Sequence, residues 1–347
     1  MSETLTTTVV IEGRPPLEGQ SATRQTHFLE NFDAAGIRTV FIDNPKDPTI
    51  YDADGRLLGL TPGEYAWRLR DVVWEDGDPA AFRDGDGYNS QKARNLTSRE
   101  AFAAALREVG LEAYGVETRP SNNLKGWKPG EFVFLKPNTI SDIHDPEKSP
   151  GTRARLIRSD RIGEALAEPL AGGAVLQRPK KLMAARDLAD QLGLPADELE
   201  PGVDYLHALR VFTPLWLPLD QTPAIELRLT NRGNDAQSDI GKLFATKIKL
   251  LEPELVFTQL PEVAKLHRLV HEAFSRHYGK QNYLAFDYII CKDGSVKILN
   301  GLVRALTPNL EPQPEEVKHL ARKTADVEVE HLKSLARKLA RPGRSVR

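Results

Sequence analysis

Cysteine is nearly missing from this chain: Cys291 is the single one in 347 residues. A lone cysteine excludes an intramolecular disulfide and a cysteine-built zinc site, and it fits a reducing compartment, so a cytoplasmic location is expected. No run approaches about 18 consecutive apolar residues, which excludes a membrane-spanning helix and removes the membrane as an expected partner. Residues 1–20 carry early threonine and glutamate and no long apolar block, so no signal peptide is expected. An excess of one charge is missing too. The chain has 47 Lys and Arg against 49 Asp and Glu, a net charge of −2. That balance gives no electrostatic ground for DNA as a partner. Three chemical motifs are absent: the G-x-x-x-x-G-K-[ST] phosphate loop, the H-E-x-x-H metal pair and a G-x-S-x-G nucleophile elbow. His267, His271 and His277 share one helical segment but lack a carboxylate on the same face, so they read as core or helix-surface histidines rather than metal ligands.

What is present is an ordinary globular balance, 40% apolar and 28% charged with a mean hydropathy of −0.42. The length suggests two or three domains. Twenty-four prolines and 25 glycines imply many connections. Strand-type runs at 7–11 and 39–42 flank a helical stripe at 21–35, a βαβ order that favours a parallel sheet. Asp52 to Gly55 reads as a hairpin turn between strands at 49–51 and 56–58. Ser98 or Thr97 can cap a helix carrying Phe102, Ala105 and Leu106, with Gly110 to stop it. Strands are expected at 132–135, 174–177, 207–212, 225–230, 283–291 and 295–299, the last two joined by a Lys292-Asp293-Gly294 turn. Pro261 opens a helix to 278, with Val263, Leu266, Val270 and Phe274 in its stripe, and a terminal helix is expected over 315–339.

Chemistry-bearing residues sit at the edges of these elements. Lys136 ends one strand and Gln177 another, Arg210 lies inside an apolar strand, and Asn231 and Arg232 follow in a polar segment reaching Lys242. Asp287 is set among Leu284, Ala285, Phe286, Ile289 and Ile290, where an acid needs a partner, either an arginine or a ligand. Lys136 also reads as an ordinary solvated lysine at a strand end, Asn300-Gly301 as a plain turn, and the basic residues of 333–344 as a solvated helix face. Residues 138–153 read equally as a lid or as a surface loop.

The element order over residues 90–310, and above all the stretch F-D-Y-I-I-C-K-D-G-S-V-K-I-L-N-G-L-V-R (286–304), resembles the ATP-grasp superfamily of carboxylate–amine ligases. The stretch is similar to that family's D-x-x-x-x-x-D-G-x-x-x-x-x-E-x-N-x-R hairpin. The resemblance implies a mixed α/β and α+β fold: an N-terminal βαβ pre-grasp domain (1–95), a lid-type subdomain (96–180), a central subdomain with the metal-site hairpin (181–312) and a C-terminal helix with tail (313–347). Two α+β halves would enclose a nucleotide cleft. It implies ATP and Mg²⁺ as cofactors, with Lys136 on the phosphates, Gln177, Arg178 and Asn231 in nucleotide binding, and Arg210, Arg228 and Arg304 stabilising the transferred phosphoryl group. Asp287 and Asn300 would hold the metal. The implied partners are small-molecule acid and amine substrates, an amino acid or peptide, with a homodimer allowed. One departure stands out. Asn300 replaces the family's glutamate and Leu302 its asparagine, which removes one charge and one donor. Asp235, Asp239, Asp142, Asp145 and Glu147 are the candidates to compensate. The departure motivates an alternative, a nucleotide- or metabolite-binding protein without turnover.

Overall fold

The computed structural model describes residues 8–12, 24–36, 38–43, 49–56, 67–68, 91–94, 96, 98–138, 155–167, 173–195, 199–200, 202–203, 205–232, 241–280, 282–302 and 315–339. The chain begins with β1 (Thr8–Glu12), α1 (Arg24–Ala34), β2 (Arg38–Asp43), β3 (Thr49–Asp52), β4 (Trp67–Arg68) and the single turn α2 (Gln91–Arg94). The four strands form a sheet in the order β3-β2-β1-β4, with β1 parallel to both β2 and β4 and β3 antiparallel to β2. The β1–α1–β2 crossover is the βαβ unit expected from the sequence. The turn after β3 closes on the Asp52 carboxylate, which accepts from the Asp54 and Arg56 amides, while Gly55 takes the left-handed conformation (φ +82) that only glycine adopts cheaply. The expected second arm at 57–58 lies outside the described residues.

Residues 95–279 with 284–303 form a second unit. It contains α3 (Arg99–Glu108), β5 (Thr118–Pro120), β6 (Phe132–Pro137), β7 (Arg155–Arg158), α4 (Ile162–Ala165), β8 (Ala174–Gln177), α5 (Ala185–Gln191), β9 (Tyr205–Pro214), β10 (Ile225–Arg232), β11 (Gly241–Leu251), α6 (Pro253–Gln259) and α7 (Pro261–Tyr278). β12 (Tyr283–Ile290) and β13 (Val296–Leu302) complete it. The strands join into one nine-stranded sheet, β13-β12-β9-β10-β11-β7-β6-β8-β5. The last described element is α8 (Glu315–Leu339), which groups with the N-terminal sheet and not with the large one. There α8 buries Leu320, Ala321, Ala325 and Val329, and its Asp326 meets His27 of α1 at 2.7 Å.

Several elements form where the sequence places them. Ser98 caps α3 by accepting from the Ala101 amide, and Gly110 stops it at φ +75. α7 runs from Pro261 to Tyr278 and buries Val263, Leu266, His267, Val270, Phe274 and Tyr278. Two features differ. β11 is a full strand where the sequence shows only a polar run to Lys242; Lys247 and Lys249 break the apolar pattern, and pairing with β10 carries the ladder through them. Asn300-Gly301 is not a turn but the interior of β13. Gly301 leaves room for the Phe102 ring of α3: a Cβ there would stand 2.1 Å from Phe102 Cε2. Phe102 in turn sits 6.2 Å from the rings of both Phe274 and Phe286, so the missing side chain seats α3 on the core.

Candidate functional site

Across four neighbouring strands of the large sheet runs a row of polar side chains. Asn300 on β13 is the ladder partner of Asp287 on β12, and Arg210 on β9 is the partner of Glu226 on β10. β12 and β9 are neighbours, and Arg210 bridges them. Its Nε donates to Asp287 Oδ1 at 2.8 Å and its Nη2 to Oδ2 at 3.3 Å. Arg228 lies two residues beyond Glu226, on the same face by strand alternation, its Nε 4.0 Å from Glu226 Oε2. Asn300, Asp287, Arg210 and Glu226 are buried, at 5–8% exposure, and Arg228 is half-buried. Burial alone would raise the Asp287 pKa, yet it lies below the usual carboxylate range. The Arg210 charge and hydrogen bonds, the Arg228 charge and a hydrogen bond from Asn300 outweigh the burial. The Asn300 Oδ1 atom is buried and has no hydrogen-bond partner among the described residues.

Two further cations act on Asp287 from β6 and α3. Lys136, next to last in β6, is 8% exposed, and its ammonium lies over the Phe134 ring at 5.3 Å. Burial, and next the positive charge of Arg99, push its pKa from 10.5 down to about 7, with Asp287 opposing the shift. No ion pair of Lys136 forms among the described residues. Burial likewise lowers Arg99 to about 10 against the pull of Asp287. The lysine is held in place by a clasp between β6 and the start of α3. Arg99 Nη1 donates to the Pro137 carbonyl, the Arg99 amide to the Asn138 carbonyl at 2.8 Å and the Glu100 amide to Asn138 Oδ1 at 3.2 Å. Asn138 Nδ2 closes it by donating to Glu100 Oε2 at 2.8 Å.

Lys136 and Arg228 thus act by charge on Asp287, which Arg210 and Asn300 also contact. Gln177 stands at the end of β8, its Nε2 donating to Thr118 Oγ1 at 3.0 Å and its buried Oε1 without a partner among the described residues. Arg178 turns to a different neighbourhood. Its guanidinium pairs with Glu117 at 2.7 Å, donates to the Gly126 carbonyl at 2.9 Å and stacks 4.7 Å from the centre of the Trp127 ring, while its amide donates to the Glu117 carbonyl. Asn231 belongs to β10, but its side chain lies outside the described residues, as do Arg304, the lid-or-loop segment 139–154 and the candidate carboxylates Asp142, Asp145, Glu147, Asp235 and Asp239.

The sequence reading missed Arg99 and Glu226. Arg99 directly follows the expected Ser98 or Thr97 cap; the signal that could have found it is its place at a helix start. Glu226 is a lone acid in an apolar strand, the same mark that singled out Asp287. The histidines make no metal group: His267 Nδ1 meets Tyr288 Oη at 2.8 Å, His271 the Leu217 carbonyl at 3.0 Å and His277 Glu108 at 3.1 Å.

The expected Mg²⁺ pair, Asp287 and Asn300, does not make a metal donor set. Asp287 gives both oxygens to Arg210, Asn300 is neutral, and Leu302 has no polar atom to offer. Among the described residues, no three or more His, Cys, Asp or Glu are grouped to hold a metal ion. No described helix is long and apolar enough to cross a membrane. Cys291 is buried and forms no disulfide.

No family model and no curated protein matches this sequence. Among solved structures, the chain is similar to a RimK domain ATP-grasp protein from Sphaerobacter thermophilus, at 16% identity and a TM-score of 0.46 over 92% of this chain and 98% of that one. It is also similar to the N5-carboxyaminoimidazole synthetase of Staphylococcus aureus (10% identity, TM-score 0.47, 86% of this chain and 71% of that one). A third is an L-amino acid ligase from Bacillus licheniformis (11%, TM-score 0.40, 86% and 67%).

Proposed function

We propose that this chain is an ATP-grasp-type carboxylate–amine ligase whose nucleotide phosphates lie against Lys136, Arg99, Arg210 and Arg228. The observation that carries this reading is Lys136, a buried ammonium at a strand end, beside a second cation and in no ion pair among the described residues. A lysine so placed is costly unless an anion joins it. A phosphate chain supplies that anion, and Arg99, Arg210 and Arg228 add fixed positive charge where negative charge moves during phosphoryl transfer. Gln177 Oε1, an acceptor without a partner among the described residues at the end of β8, suits an amino group on the nucleotide base.

The reaction this arrangement supports runs in two displacements. A substrate carboxylate oxygen takes the γ-phosphoryl group and ADP leaves; the amine then attacks the acyl-phosphate carbonyl and inorganic phosphate leaves, which forms the amide. The protein's part is positioning and charge stabilisation. In the same proposal the protein acts in a reducing cytoplasm on small-molecule acid and amine substrates, as a homodimer whose chain divides at residues 95, 180 and 312. ADP release measured against a panel of amino acids and peptides tests it: turnover that needs both an acid and an amine supports the ligase, and nucleotide binding with no turnover for any pair rejects it. A second reading, nucleotide binding without turnover, is favoured by one observation. Arg210 occupies the carboxylate that the resemblance assigns to a metal.

A further inference from the structure

We infer that this site binds its polyphosphate ligand on guanidinium and ammonium groups alone, with no divalent cation in the binding step. The inference rests on the nucleotide reading only for the class of ligand; the argument itself concerns what surrounds Asp287. A magnesium ion takes hard oxygens in an octahedron: it keeps several waters and adds one or two carboxylates with free lone pairs and the substrate phosphates. Here Asp287 is the single carboxylate on β12 and β13 that faces the row. Arg210 engages it through both oxygens, and Asn300 donates a further hydrogen bond. Such a two-point guanidinium–carboxylate pair neutralises the acid and fixes its orientation, the two services a bound metal would give it. Where the resembled hairpin has a second carboxylate, Asn300 offers one neutral oxygen, and Leu302 offers none. The next acid in the row, Glu226, stands on β10, on the far side of Arg210 and beside Arg228.

Charge points the same way. Arg99, Lys136, Arg210 and Arg228 are each near enough to Asp287 for the charges to act on one another. A divalent cation brought to this row meets four cationic side chains and a carboxylate already paired. A polyanion meets those same cations with its own sign reversed, and it restores the charge on Lys136. Asn300 Oδ1, buried and without a partner among the described residues, remains as a neutral acceptor for an N–H or O–H of the ligand.

The test is calorimetric titration of the full chain with ATP and, separately, with inorganic tripolyphosphate, each in excess EDTA and in millimolar MgCl₂. The inference expects each ligand that binds to do so at least as tightly in EDTA as in MgCl₂, where complexation by Mg²⁺ withdraws free polyanion. Tight binding of ATP in MgCl₂ that weakens tenfold or more in EDTA overturns it and leaves the nucleotide reading standing. Tripolyphosphate binding in EDTA with no ATP binding supports it and overturns the nucleotide reading. No binding of either ligand in either buffer overturns both. The Asn300→Glu variant adds the absent carboxylate beside Asp287, and its ATP affinity is expected to become at least tenfold stronger in MgCl₂ than in EDTA. If that variant does not fold, Mn²⁺ alone titrated into the wild type and followed by paramagnetic resonance serves in its place: no bound ion in the micromolar range supports the inference, and a stoichiometric one overturns it.

Discussion

Replacing Lys136 by methionine removes a charge that the fold holds against its own interest. In the folded chain the Lys136 pKa is about 7, against 10.5 for the ordinary side chain. Between those two values the unfolded chain binds more protons than the folded one, so wild-type stability rises with pH through the window and is lowest at and below pH 7. At 1.36 kcal/mol per pKa unit, the burden reaches roughly 4 kcal/mol at pH 7 and falls to about 2 kcal/mol at pH 9. Methionine keeps the length of the stem and its contact with Phe134 without the charge. Lys136→Met is therefore expected to unfold at higher urea than wild type at pH 7, with the gap closing by pH 10, and to lose ATP binding at every pH. Urea titrations followed by far-ultraviolet circular dichroism at pH 7, 8, 9 and 10, with ATP titrations on the same samples, check both halves. A variant that is less stable than wild type at pH 7, or whose advantage does not shrink as pH rises, refutes the reasoning.

The Arg210–Asp287 pair makes the opposite case. Asp287→Ala removes the carboxylate paired with the buried Arg210 guanidinium and is expected to cost about 3–5 kcal/mol in the same urea assay. Gly301→Ala puts a methyl into the Phe102 ring and should cost roughly 1–3 kcal/mol by displacing α3; a thermal melt unchanged from wild type would remove the account of that glycine. His207 and His267 are held neutral by burial, with pKa values of about 4 and about 3, so each takes up its proton in the unfolded chain near pH 6.5 but not in the folded one. Stability is thus expected to fall by about 1.4 kcal/mol per pH unit for each histidine as pH drops from 6.5 toward 4, and His267→Phe should flatten that slope in denaturation curves.

Much of this architecture is legible locally. Pro261 at a first turn and an apolar stripe at helical spacing give α7 its bounds, and Ser98 and Gly110 give α3 its ends. An acid inside an apolar strand marks Asp287 as a residue in need of a partner, and a lysine before a proline marks Lys136. What local pattern cannot carry is who meets whom. Arg210 and Asp287 are 77 positions apart, and only the β12-β9 neighbourhood in the sheet joins them. Arg99 and Lys136 meet because the Asn138 clasp draws a helix start onto a strand end. Arg178 follows Gln177 in sequence, and its guanidinium packs against Glu117 and Trp127, which come from other parts of the chain. β11 escaped notice because its lysines hide a strand whose partner supplies the order.

A crystal structure of the full chain with a non-hydrolysable ATP analogue puts the central claim to the most direct test. The account places phosphate oxygens within hydrogen-bond distance, about 3 Å, of the Lys136 ammonium and of at least one guanidinium among Arg99, Arg210 and Arg228. Phosphates bound elsewhere on the chain, with Lys136 still buried and without an anion beside it, would contradict it.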